Sequence, residues 1–189
     1  MPRHEPLPFD PIEEAARHWS ARWDAVDKMR AVTSLMRAQQ LVLSELDDIL
    51  REHGLTFARY EALVLLTFSR RGSLPLGKMG ERLQVHPTSV TSIINRLKAA
   101  SLVTRRTHPT DRRTVLAEIT DLGRERVTGA TDALVRADFG LGSVGPGELA
   151  AIFDVLRPVR LAAGDFTAPR ASAAVAPPGE PVGSAGEPG

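Results

Sequence analysis

The chain has 189 residues, enough for one well-buried domain with extensions, and its apolar and charged shares of 42% and 25% are those of an ordinary globular protein. It contains no cysteine, which excludes disulfides, thiolate zinc sites and a thiol-based redox switch and suits a reducing, cytoplasmic setting. The net charge of +1 names no partner, no run approaches the ~20 apolar residues of a membrane span, and the proline-rich first ten residues lack the apolar run of a signal peptide.

Asp10 and Pro11, followed by Glu13 and Glu14, predict a helix start: an N-cap, a proline at the first helical position and acids in the first turn. This helix carries Trp19 and Trp23, and a break near residues 23–27 separates it from a longer helix that ends at about residue 52, closed by His53 and Gly54. Met29, Met36, Leu43 and Leu50 recur every seven residues in the long helix. Val32, Gln39 and Leu46 fill a second seam, and Leu35, Val42 and Ile49 widen the face. A face this wide asks for more partner surface than one short neighbour offers, so an intersubunit helix is expected. The alternative is a core helix packed only within its own chain.

A second helix is expected over 56–71, with Tyr60, Leu63, Val64, Leu66 and Thr67 inward. Leu74, Pro75 and Leu76 read as a short extended edge segment. A short helix over 77–83, a turn at 84–86 and a helix opened by Pro87 and running to about residue 100 come next. Residues 101–107 and 114–119 are β-rich and flank the turn residues His108, Pro109, Thr110 and Asp111, which together predict a hairpin. Thr120 caps a helix over 121–139 whose stripe is Leu122, Val127, Ala130, Leu134 and Ala137. A glycine-rich loop precedes a last helix from Pro146, with Leu149, Ile152, Phe153 and Leu156 inward, which Pro158 ends or kinks.

The expected class is mainly α with a small β-hairpin. The organisation reads as an N-terminal extension with an extra helix (1–26), a helical domain (27–165) containing a lobe at about 56–120, and a disordered Ala/Pro/Gly tail (166–189).

Positive charge is concentrated. Between residues 89 and 113 lie Arg96, Lys98, Arg105, Arg106, Arg112 and Arg113, against the single acid Asp111. Helix, tight turn, helix and basic hairpin is the order of a winged helix-turn-helix. In the helix after Pro87, Val90, Ile93, Ile94 and Leu97 can face a core, which leaves Thr88, Ser89, Thr91, Ser92, Asn95 and Arg96 to face a DNA groove. Lys98, Arg105 and Arg106 suit phosphates, and Arg112 and Arg113 suit a narrow minor groove. Phosphate would repel Asp111, so it either braces an arginine or caps the turn.

The segment from Asp111 through Arg112, Arg113 and Ile119 to Thr120, with Gly123 after it, resembles the DxRxxxxxLT wing signature of the multiple antibiotic resistance regulator (MarR) family, with Ile119 in place of the usual leucine. Residues 83–91 and the triplet Asn95, Arg96, Leu97 look like that family's turn and recognition helix, where Asp-Arg-Leu is commoner. The resemblance covers residues 29–161. It implies a homodimer on a pseudo-palindromic double-stranded operator, acting as a ligand-responsive repressor. Met29, Val32, Met36, Leu43, Leu46, Leu149, Ile152 and Phe153 would form its dimer frame. A small anionic or phenolic ligand is an implied further partner. The N-terminal helix is similar to one in the urate-responsive branch, in which Trp19 and Trp23 would either line a site or pack the helix onto the dimer body.

Two other classes compete. An enzyme is disfavoured: no glycine-rich phosphate loop is present, and His4, His18, His53, His86 and His108 are scattered without metal-ligand pairing. Neither metal nor cofactor is expected. A structural dimer using the hairpin as a protein contact is the second.

Overall fold

The computed structural model describes residues 5–111 and 113–167. Arg112, the first four residues and residues 168–189, which include nearly all of the expected tail, lie outside the described residues. The chain divides into two compact units, one ending at Val144 and one beginning at Gly145.

In the first unit α1 spans Pro11–Ser20 and α2 spans Val26–Arg51. The Asp10 carboxylate accepts from the Ile12 N–H at 2.8 Å, satisfying one of the donors that a helix start leaves open. Ala16 is buried where α1 lies on α2, and Glu13 pairs with Arg30 across the two helices. The chain turns between them at Ala25, whose φ of 58° is left-handed. The Trp19 and Trp23 rings meet at 4.9 Å, and the Trp19 indole donates to the Asp24 carbonyl at 2.8 Å. The two indoles therefore close this turn against each other, with Trp23 exposed.

Helix α2 has two environments. Its C-terminal half enters the core through Leu46 and Leu50, with Val42 and Ile49 packed beside them. Residues 31–41 are exposed throughout. Leu46, expected at a subunit interface, is only 6% exposed and belongs to its own chain's core. The seven-residue repeat marks one continuous face without showing that its two ends have different partners.

Helix α3 (Phe57–Thr67) buries Tyr60, Ala62, Leu63 and Leu66 and stops four residues before the expected end. The Ser69 hydroxyl donates to the Leu66 carbonyl at 2.7 Å, an alternative to the helical ladder, and Gly72 takes a φ of +66°. Strand β1 (Ser73–Pro75) then pairs with β3 (Val115–Ile119), which also pairs with β2 (Val103–Thr107), giving the antiparallel order β1-β3-β2. Pro75 occupies an outer strand, where its missing N–H breaks no ladder bond.

Helices α4 (Leu76–Leu83) and α5 (Pro87–Ala99) pack together around a turn in which Gln84 has a φ of 52°. Met79, Val90, Ile94 and Leu97 join Leu102 and, from the sheet, Val103, Ala117 and Ile119 in one core with Leu50, Leu63 and Leu66. Burying each leucine contributes about 2 kcal/mol.

Helix α6 spans Asp121–Arg136. The Thr120 hydroxyl oxygen accepts from the Gly123 N–H at 3.0 Å while its proton goes to the Ser101 carbonyl at 2.9 Å. The buried stripe is Gly123, Val127, Ala130 and Leu134; Leu122, expected inside, is exposed because Gly123 takes the inward position. The helix ends three residues early, where Asp138, Phe139 and Gly140 are all left-handed and form a 3-10 turn.

In the second unit α7 spans Pro146–Ala162, and the Glu148 carboxylate accepts from the Gly145 N–H at 2.8 Å. Pro158 does not end it; its fixed φ suits a helix, and the loss is one ladder bond. Leu149, Ile152 and Phe153 are exposed instead of inward, and Leu156 is half-buried. Phe166, expected in the tail, lies 5.2 and 5.4 Å from the Arg157 and Arg160 guanidinium carbons, and Arg160 pairs with Asp165 at 2.7 Å.

Candidate nucleic-acid interface

Helix α5 separates its side chains cleanly. Val90, Ile94 and Leu97 are buried and Ile93 is half-buried, while Thr88, Ser89, Thr91, Ser92, Asn95 and Arg96 are all exposed. Buried positions four and seven residues after Val90 fix the inner face, so the hydroxyls, the amide and the guanidinium share the outer one. Lys98 is exposed one turn further along. The helix starts with His86 as N-cap: its Nδ1 accepts from the Thr88 N–H at 3.3 Å and lies 3.1 Å from the Thr88 hydroxyl oxygen.

The hairpin tip is closed by its own hydrogen bonds. The His108 N–H donates to the Thr114 carbonyl at 2.9 Å, and the Thr114 N–H to the Asp111 carbonyl at 3.0 Å. The Asp111 carboxylate accepts from the Thr114 hydroxyl at 2.6 Å and from the Arg113 N–H at 3.0 Å. Of the two roles left open for Asp111, the described contacts are those of a turn cap. The Thr114 hydroxyl first, then the Arg113 N–H, holds its carboxyl below the usual carboxylate range, with a smaller contribution from His108. Arg113 is exposed beside it, and the site expected at Arg112 falls outside the described residues.

Two of the expected phosphate ligands have intramolecular partners. Arg106 pairs with Glu118 on the neighbouring strand at 2.7 Å. Arg105 is half-buried and turns toward α5, with a guanidinium nitrogen 3.5 Å from the Thr91 carbonyl and a buried Nε that has no partner among the described residues. Arg105 therefore ties the hairpin to α5, and Arg106 ties its two strands to each other. Alternation along β2 could have found this for Arg105, because Val103 and Arg105 point to the same side.

An open groove of about 580 Å³ separates the tip from the start of α4. His108, Asp111 and Arg113 line one side and Gly77, Lys78 and Glu81 the other, with Lys78 and Glu81 paired at 3.0 Å. Sequence reasoning missed Lys78, whose signal was a cation in the first turn of a helix beside the hairpin.

The residues expected at a subunit interface fall into several classes. Val32 and Met36 are 55% and 56% exposed on α2, Met29 and Leu43 are half-buried, and Leu46 is buried in the core. Leu149, Ile152 and Phe153 are exposed on α7. Among the described residues no group of three or more His, Cys, Asp or Glu side chains could hold a metal, and no helix is long and apolar enough to cross a membrane.

Two helices joined by a tight turn, with the second exposed along a polar face beside a three-stranded sheet and its hairpin, define a winged helix-turn-helix. The chain belongs to the MarR family, whose pattern matches residues 58–115. Sco5413, a MarR family transcriptional regulator from Streptomyces coelicolor, is 56% identical with a TM-score of 0.71, over 75% of this chain and 99% of that one. Sco3205, a MarR family regulator from the same organism solved in complex with DNA, shares the fold at 23% identity and a TM-score of 0.66, over 75% of this chain and 90% of that one. BpsR of Bordetella bronchiseptica, whose DNA binding is regulated by 6-hydroxynicotinic acid, is 27% identical with a TM-score of 0.61, over 67% and 90% of the two chains. The HTH-type transcriptional regulator MhqR of Bacillus subtilis (strain 168) is 30% identical over 89 residues, 47% of this chain. That match spans 60% of MhqR's own length.

Proposed function

We propose that the protein is a sequence-specific, double-stranded DNA-binding transcriptional regulator that acts as a cytoplasmic homodimer and has no enzymatic role. The observation that carries this reading is the division along α5, where every candidate groove residue from Thr88 to Arg96 is exposed over a buried Val90, Ile94 and Leu97. Short polar side chains near the start of a helix suit a major groove ~12 Å wide. The exposed Arg113 suits the adjoining minor groove, and the exposed Lys98 suits a phosphate. Arg112 is proposed to act with Arg113.

The exposed apolar side chains of α2 (Val32, Leu35 and Met36) and of α7 (Leu149, Ile152 and Phe153) support a homodimer. Two-fold symmetry then sets two half-sites about 34 Å apart on a pseudo-palindrome. Repression released by a small anionic or phenolic ligand completes the proposal. Its support is BpsR, a relative whose DNA binding is regulated by a small aromatic acid.

Selection of bound genomic fragments by the purified protein, followed by gel-shift titration, tests this reading. We expect a recurring two-fold motif bound far more tightly than random duplex. Binding that stays weak and indifferent to sequence at moderate salt overturns it. A monomer in sedimentation at micromolar concentration overturns the homodimer, and genes beside the selected fragments indicate the ligand's class.

A further inference from the structure

The tripeptide His-Pro-Thr occurs twice, at residues 86–88 and 108–110. The first copy starts α5 and the second forms the hairpin tip. The two fold alike. His86 Nδ1 lies 3.3 Å from the Thr88 nitrogen and 3.1 Å from its hydroxyl oxygen. His108 Nδ1 lies 3.3 Å from the Thr110 nitrogen and 3.1 Å from its hydroxyl oxygen. The intervening proline fixes its own φ and donates nothing, so the threonine N–H is the first backbone donor the ring can meet.

A backbone N–H is always a donor, so Nδ1 must present its lone pair in both copies, and the ring proton sits on Nε2. The threonine hydroxyl 3.1 Å from that nitrogen can then donate to it as well, sharing the lone pair with the backbone N–H. Its proton turns toward the ring, and its oxygen is left to accept from outside.

We propose that His86 and His108 are matched positioning residues of the DNA interface, each fixing a threonine so that its hydroxyl oxygen faces DNA as an acceptor. The inference rests on the DNA-binding reading above and sharpens it. In the major groove an acceptor pairs with the amino groups of adenine or cytosine and not with the guanine O6 or thymine O4 acceptors. Thr88 therefore selects an amino-bearing base at one position of each half-site. His108 holds Thr110 in the same way at the tip.

The test joins spectroscopy to binding selection on the full-length protein. In nitrogen-edited NMR of the imidazole rings, both His86 and His108 are expected as the Nε2–H form; a proton on Nδ1 in either overturns the matched pair. In selection from randomised duplexes, His86→Ala and Thr88→Val should lose preference at the same single position of each half-site. Each should weaken binding to the wild-type site roughly fivefold per half-site, the scale of one lost hydrogen bond. The double variant should add nothing to either single loss. His86→Asn, which keeps a side-chain acceptor at the N-cap, should restore preference and guards against misfolding of the alanine variant. Equal weakening on all sequences in His86→Ala, or additive losses in the double variant, overturns the inference while leaving DNA binding intact. A wild-type protein that selects no sequence overturns both.

Discussion

Gly123 packs directly against the carbonyl oxygen of Leu102: a Cβ at Gly123 would lie 2.2 Å from that oxygen and 2.8 Å from an Ile119 side-chain carbon. The same carbonyl accepts from the Thr120 N–H at 3.1 Å, so it cannot move without breaking the junction between β3 and α6. Gly123→Ala is expected to destabilise the fold by about 1–3 kcal/mol, an overpacking effect measurable by urea denaturation. Loss of stability near zero would show that α6 shifts freely against the sheet.

The two ends of α2 should respond differently to substitution. Leu46→Ala opens a cavity in a core where Leu50, Leu63 and Leu134 are fully buried, and should cost about 2–5 kcal/mol in thermal or chemical unfolding. Met36→Glu changes an exposed position and should leave unfolding of the chain nearly unchanged while converting a dimer to monomer in sedimentation. Equal effects of the two on stability would contradict the division of α2 into a core half and an exposed half.

Asp111 makes closure of the hairpin tip acid-sensitive. Its carboxyl is held below the usual range, so the folded form favours the ionised group. The resulting contribution is complete above the unfolded value of about 3.9 and disappears as pH falls through the lower folded value. The Thr114 and Arg113 amide signals are expected to show a step below about pH 4, as the carboxyl takes up its proton. Asp111→Asn should abolish that acid step and weaken DNA binding by less than about tenfold, the scale of an exposed turn hydrogen bond.

Arg113 and Arg106 separate charge at the tip from charge on the strands. Arg113→Ala should lower the slope of log affinity against log salt by about two for a bound homodimer, as one DNA-facing cation is removed from each protomer. Arg106→Ala should change the slope less, because Arg106 is already paired with Glu118. Equal slope changes in filter-binding titrations would mean that this pair opens on DNA.

Much of the fold was legible in the sequence because its signals are local. Asp10 and Pro11, Thr120, and the turn residues around Pro109 each act within a few residues, and each sits where expected. The outer face of α5 was legible because Val90, Ile94 and Leu97 recur with the helical period. The failures needed tertiary knowledge. Leu46 and Met36 look alike in a heptad, and only the fold says that one meets the core. Arg105 and Arg106 look alike in a basic run, yet strand alternation turns one toward α5 while Glu118 takes the other. Leu122 lost its inward place to Gly123 because a carbonyl approaches too closely for any side chain.

The sheet has two outer strands, and neither invites another. Strand β1 is three residues long and ends in Pro75, which has no N–H to offer an incoming chain. Strand β2 is five residues long and carries the exposed Arg106, a charged side chain that an incoming strand would crowd. The hairpins of neighbouring copies are therefore kept apart, and concentrated solutions should resist fibril growth seeded from this sheet.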